Sequence, residues 1–170
     1  QIAQIMSINL FGKMVNLHPS IGNNFIDANA LDHTGGPEDA AIARILALAD
    51  DGQLTLLLPY SVKAEIDHPN TPSEVKRLAS RLIYSVRVQL TDSEKATHKR
   101  IRELIQGKAL SDQHANDAFH LVESAKNGGR HFITNDKRLL KFAPQIWEQL
   151  LIRVLTASEF INDYYSAAAS

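Results

Sequence analysis

Short apolar runs alternate with helix-like stripes along most of this chain, and no other feature limits its fold so strongly. Phe25–Asp27 reads as a short strand ending on an acid. After Thr34-Gly-Gly, Pro37 suits the first position of a helix, and Ile42, Ile45, Leu46 and Ala49 then recur at i, i+3, i+4, i+7. Asp51-Gly52 stops that helix. Leu54–Leu58 is a continuous apolar run between Gly52 and Pro59, the pattern of a strand buried on both faces. Thr71-Pro-Ser-Glu74, Thr91-Asp-Ser-Glu94 and Thr156-Ala-Ser-Glu159 each fit a capping box, in which the threonine hydroxyl and the glutamate satisfy amides at a helix start. Stripes follow at Val75, Leu78, Ala79, Leu82, at Thr97, Ile101, Leu104, Ile105, and at Ala118, Leu121, Val122, Ala125, the last ended by Gly128-Gly129. His131–Thr134 and Leu151–Leu155 are further strands, and Ser85–Leu90 is a weaker one. Strands separated by helices imply crossovers, hence a three-layer α/β/α fold with a short, mainly parallel sheet.

Four acids stand out against this frame. Asp27 and Asp136 each follow a strand-like run, while Glu65 and Asp117 sit early in helix-like segments. In an open parallel sheet, residues just past the carboxyl ends of the strands share one crevice. Four carboxylates gathered there repel one another unless a hard divalent cation neutralises them, and Mg²⁺ and Mn²⁺ prefer oxygen ligands. The combination points to metal-assisted hydrolysis of a phosphodiester.

Composition narrows the alternatives. The 170 residues fit one domain, 44% hydrophobic and 22% charged, with a real core. Absence of cysteine excludes disulfides, thiol catalysis and cysteine zinc sites, and agrees with a cytoplasmic setting. No apolar run approaches the roughly 20 residues that span a bilayer. A formal net charge of −1 gives no global basic field, so nucleic acid would need a local patch. Residues 1–20 read as an N-terminal arm, 21–166 as the domain and 167–170 as a frayed tail. The chain opens on Gln1, as expected of a processed product or part of a longer one.

Together the motifs resemble a PIN domain, the nuclease fold of VapC-type toxins and related ribonucleases. Asp27-Ala-Asn29 resembles the opening strand-end motif, and Leu-Leu-Leu-Pro59 through Ala-Glu65 the second. Asp117-Ala-Phe-His120 on to Ala125 resembles the third, Thr134-Asn135-Asp136 the fourth, and Val154 through Phe160 a late family segment. The resemblance covers roughly residues 23 to 165; the order and spacing of the motifs carry it. It implies a Mg²⁺- or Mn²⁺-dependent endoribonuclease with Asp27 and Asp117 as central ligands. Glu65 and Asp136 would complete the cluster directly or through water. RNA as substrate comes from the resemblance alone, and single-stranded DNA stays open. An antitoxin protein and a second copy of the chain are the candidate partners. The alternative is a non-catalytic RNA- or partner-binding PIN module. A haloacid-dehalogenase-like phosphatase ranks low, because that family resembles Asp-x-Asp and Asn29 takes the place of the second acid.

The remaining residues have plainer readings beside functional ones. Asn29 would orient Asp27 or a water, or simply turn the chain. Asp112 competes with Asp117 as the helix-start acid. His114, Asp117 and His120 share one helix face, but His120 is expected to pack beside the sheet and not to bind metal. Thr134, Lys137 and Arg138 are candidate substrate contacts. Lys141, with Lys76, Arg77, Arg81, Arg87, Lys99, Arg100 and Arg102, would extend that basic patch. Tyr60 and Phe119 are expected in the core.

Overall fold

The structure is a computed structural model and describes residues 17–107 and 115–166. Most of the expected N-terminal arm, the expected tail, Asp112 and His114 lie outside the described residues.

Among the described residues, five strands form one parallel sheet: β1 (Asn23–Ile26), β2 (Thr55–Leu58), β3 (Ile83–Tyr84), β4 (Gly129–Ile133) and β5 (Arg153–Leu155). Their spatial order is β3-β2-β1-β4-β5. The helices are α1 (Pro37–Asp50), α2 (Lys63–Ile66), α3 (Ser73–Ala79), α4 (Asp92–Gln106), α5 (Ala115–Lys126), α6 (Lys137–Lys141), α7 (Ala143–Leu150) and α8 (Ala157–Ser166). The three-layer α/β/α expectation holds.

Successive strand side chains point to opposite faces, so β1, β2, β4 and β5 each feed two cores. Ile26, Leu56, Leu58, Ile133 and Leu155 pack with α1, α3 and α8. Phe25, Phe132 and Val154 pack with α4, α5 and α7 on the other face. Burial on both faces explains why β2 reads as an unbroken apolar run. The close approach of α5 to β4 requires glycine: a Cβ on Gly129 would lie 2.6 Å from the Ser124 carbonyl oxygen.

Three local expectations need correction. Thr91 forms the full capping box with Glu94, and Thr156 Oγ1 accepts from Glu159 N, but Thr71 does not cap α3. Its hydroxyl instead donates to the Glu65 carbonyl, and Glu74 pairs with Arg77. The third strand lies at Ile83–Tyr84 and not at Ser85–Leu90. Its last rung is Ser85 N to Leu58 O, after which Pro59 turns β2 away. Leu151 lies outside β5; at φ 56° it caps the end of α7.

Residues 17–20 already touch the domain. His18 Nε2 lies 2.9 Å from the Tyr164 carbonyl oxygen, and Pro19 O accepts from Asn24 Nδ2.

Candidate functional site

The chain leaves β1 toward β2 through α1 on one face, and leaves β4 toward β5 through α6 and α7 on the other. Adjacent strands whose connections diverge open a crevice at their carboxyl ends, where ligands of parallel sheets bind. Asp27 follows β1 directly and Thr134-Asn135-Asp136 follows β4. The topology therefore brings the first and fourth acidic motifs to one place.

Asp27 extends the ladder by one rung, its N–H donating to Ile133 O at 2.9 Å. Its Oδ1 accepts from Ala28 N at 2.8 Å, which caps the short 3₁₀ turn Ala28–Leu31. Oδ2 takes a bond from Thr134 Oγ1 at 3.1 Å. The residue is only 4% exposed. Burial pushes its carboxyl up to about 6, and the Glu65 and Asp117 carboxylates push the same way. His120 and the Thr134 hydroxyl pull it down. Glu65 and Asp117, from two separate helices, thus both act on Asp27, the deepest of the three; Glu65 is 43% exposed.

His120 is the unexpected member. It is buried, as expected, but within this polar cluster. Nε2 meets Glu65 Oε1 at 2.8 Å and Nδ1 meets Ser61 Oγ at 2.7 Å. Burial lowers its pKa, but the Glu65 hydrogen bond and the charges of Asp27, Glu65 and Asp117 outweigh that, so the net shift is upward. An imidazolium here offsets part of the carboxylate repulsion. Glu123, three residues further along α5, is also fully buried, and its carboxylate accepts from Ser61 N at 2.7 Å and Val88 N at 3.4 Å. Sequence reading missed both Ser61 and Glu123. The signal was present: Asp117, His120 and Glu123 recur every third residue on one helix face.

Asp136 stands at the same edge, but its Oδ1 caps α6 by accepting from Arg138 N at 2.7 Å and Leu139 N at 3.2 Å. It reaches Asp27 through Thr134, whose hydroxyl accepts from Asp136 N at 3.0 Å. Asn29 is exposed and pins the two strand ends together: its Oδ1 lies 3.2 Å from Thr134 Oγ1 and accepts from Asn135 N at 3.0 Å.

The basic residues divide by role. Arg138 Nη1 donates to the Ile105 and Gln106 carbonyls at 2.7 and 3.0 Å, closing the end of α4. Lys137 is exposed, and with Lys141 it borders a cleft of about 400 Å³. Arg77 pairs with Glu74, Arg81 with Asp50, and Lys99 with Glu103. Since α3 packs on the face opposite α4 and α6, Arg77 does not form one patch with Lys137. Tyr60 and Phe119 are not core: Tyr60 is 39% exposed, and both line a cleft beside the cluster.

The donor set is oxygen-rich, suited to a hard cation. Among the described residues, no three or more His, Asp or Glu side chains are already gathered as a ready metal-binding group. No helix among them is long and apolar enough to cross a membrane. The chain has no significant match to any protein-family model, curated protein or solved structure.

Proposed function

We propose that this chain is a PIN-type, metal-dependent ribonuclease that hydrolyses RNA phosphodiester bonds in the cytoplasm. The observation that carries the reading is the buried Asp27 carboxyl, held near pKa 6 at the sheet's switch point by burial and two further acids. His120 offsets only part of the charge gathered around an ionised Asp27, and a divalent cation would supply the rest. Asp27 and Asp117 would hold Mg²⁺ or Mn²⁺, with Glu65 and Asp136 completing the set directly or through water. The bound ion would supply charge neutralisation and Lewis-acid activation of water.

The chain's own groups do the positioning. Thr134 fixes Asp27 Oδ2, and the Ala28 amide fixes Oδ1. His120 holds Glu65, and is itself held by Ser61. No side-chain nucleophile is required. Pairing with an antitoxin protein belongs to the same proposal.

A second reading, a non-catalytic RNA- or partner-binding module, is favoured by one observation: Glu65 already pairs with His120, so the cluster is partly self-satisfied. Metal-dependent cleavage of a labelled RNA panel separates the two. Asp27→Asn and Asp117→Asn should each abolish cleavage while circular dichroism stays native. Full cleavage by both variants would end the ribonuclease reading, and unfolding of both would assign these residues to structure.

A further inference from the structure

A cleft with two aromatic side chains in its lining lies next to the carboxylate cluster. It encloses about 440 Å³, within the roughly 300–1,000 Å³ of small-ligand sites. Tyr60 and Phe119 contribute aromatic surface. The Phe119 ring is set by an edge contact with His98, centroid to centroid 5.7 Å. Lys63 and Asp67 pair at one wall and offset each other, while Arg87 adds positive charge at another. Arg87 is exposed and makes no ion pair with any described residue. Ser61 and Glu123 line the same cleft, and Ser61 Oγ is one hydrogen bond from His120, which holds Glu65. The cleft and the cluster therefore share a wall.

We propose that this cleft is a nucleobase subsite, stacking a base of the RNA against Tyr60 and Phe119 while Arg87 contacts a neighbouring phosphate. The inference rests on the ribonuclease reading and goes beyond it by naming what holds the strand. Aromatic faces accept any base by stacking, and a guanidinium meets phosphate oxygens bidentately. An apolar peptide would use the rings but leave Arg87 without a counter-charge. A near-neutral protein needs such a local grip, because its net field does not attract RNA.

The test pairs binding with kinetics. Saturation-transfer NMR with adenosine 5′-monophosphate and with ribose 5-phosphate, in Mg²⁺, reads whether the base touches the protein. RNA cleavage reads KM and kcat. Tyr60→Ala should weaken the nucleotide and raise KM by about five- to 150-fold, the range for one missing base–aromatic stack, while Tyr60→Phe stays within about two-fold. Ribose 5-phosphate should bind the wild type at least as poorly as the nucleotide binds Tyr60→Ala. Tyr60 is exposed, so its removal spares the fold; Phe119→Ala repeats the test if it folds. Equal nucleotide affinity and unchanged KM in Tyr60→Ala would overturn the subsite, even where Asp27→Asn still abolishes cleavage. If the wild type cuts no RNA, yet Tyr60→Ala abolishes its saturation transfer to the base, the ribonuclease reading is overturned and a nucleotide site remains.

Discussion

Asp27→Asn should make the metal-free protein more stable at neutral pH, in proportion to the carboxyl's displacement. Folding raises the Asp27 pKa from 3.8 to about 6. Between those values the native state binds more protons than the unfolded chain, so stability falls as pH rises through the window. The shift corresponds to about 3 kcal/mol, complete above the folded pKa. Asparagine never ionises and avoids that loss. It retains an acceptor for Ala28 N but replaces the oxygen facing Thr134 with an amide, which costs about 1 kcal/mol at every pH. The variant should therefore gain roughly 2.5 kcal/mol on the wild type between pH 4 and pH 8, ending about 2 kcal/mol more stable. His131 makes the comparison sharper. Burial, then Arg153, push it down to about 4, so its contribution is lost as pH falls from 6.5 toward 4. In the wild type the two residues oppose each other over much of that range, and the curve should be flat; in the variant it should climb with pH. Urea unfolding in a chelator at pH 4, 6 and 8 measures both curves. Parallel curves would refute the argument that Asp27 ionises at a cost. With added Mg²⁺ at a hundred times its Kd, the wild type should gain about 2.7 kcal/mol and the variant far less.

The other expectations follow from the same hydrogen bonds. Arg138→Ala should destabilise the fold by about 2 kcal/mol by freeing the α4 carbonyls, whereas Lys137→Ala should leave stability unchanged and lower the salt slope of RNA binding by about 1. Denaturation and salt-titrated binding separate the two; equal behaviour would contradict the division. Glu123→Ala should cost roughly 2–4 kcal/mol, because the Ser61 and Val88 amides lose their acceptor, and a change under about 0.5 kcal/mol would show that water replaces it. Mg²⁺ binding at pH 6 should release between about half and one and a half protons from Asp27 and His120, read by calorimetry in buffers of different ionisation heat. Zero release would separate the cation from this cluster.

Strand ends were legible where the chain punctuates them. Gly52 and Pro59 bracket β2, and Gly128-Gly129 separates α5 from β4, so periodicity and breakers agreed. Ser85–Leu90 misled because its composition suits a strand while its pairing partner has already ended at Leu58. That segment is held instead by side chains: Glu123 takes the Val88 amide, and Asn127 reaches the Val86 carbonyl. Such bonds link residues tens of positions apart and leave no local pattern. Thr71 shows the complementary limit. Its box is correct as a string, but the Glu65 carbonyl offers its hydroxyl a nearer use. Arg138 looked like phosphate-binding surface because no local pattern shows that the end of α4 lies against it.

The acids of the site were easier to find than their governors, for a physical reason. Asp27 and Asp136 lie at strand ends, and alternation implies a parallel sheet whose carboxyl ends share one edge; the order β3-β2-β1-β4-β5 then makes their strands neighbours. His120 and Glu123 lie on a helix whose rotation about its axis depends on packing against β4 and α4. A shift of about 100° per residue decides between core and crevice. Asp27 alone would only be a buried acid. The Glu65–His120–Ser61 chain sets its electrostatic surroundings, because an imidazolium beside three carboxylates keeps a proton that a cation could displace. The burial that lowers the stability of the ionised fold is also what removes water from Asp27's carboxylate, so the same few kcal/mol that its ionisation costs would strengthen its attraction for a divalent ion.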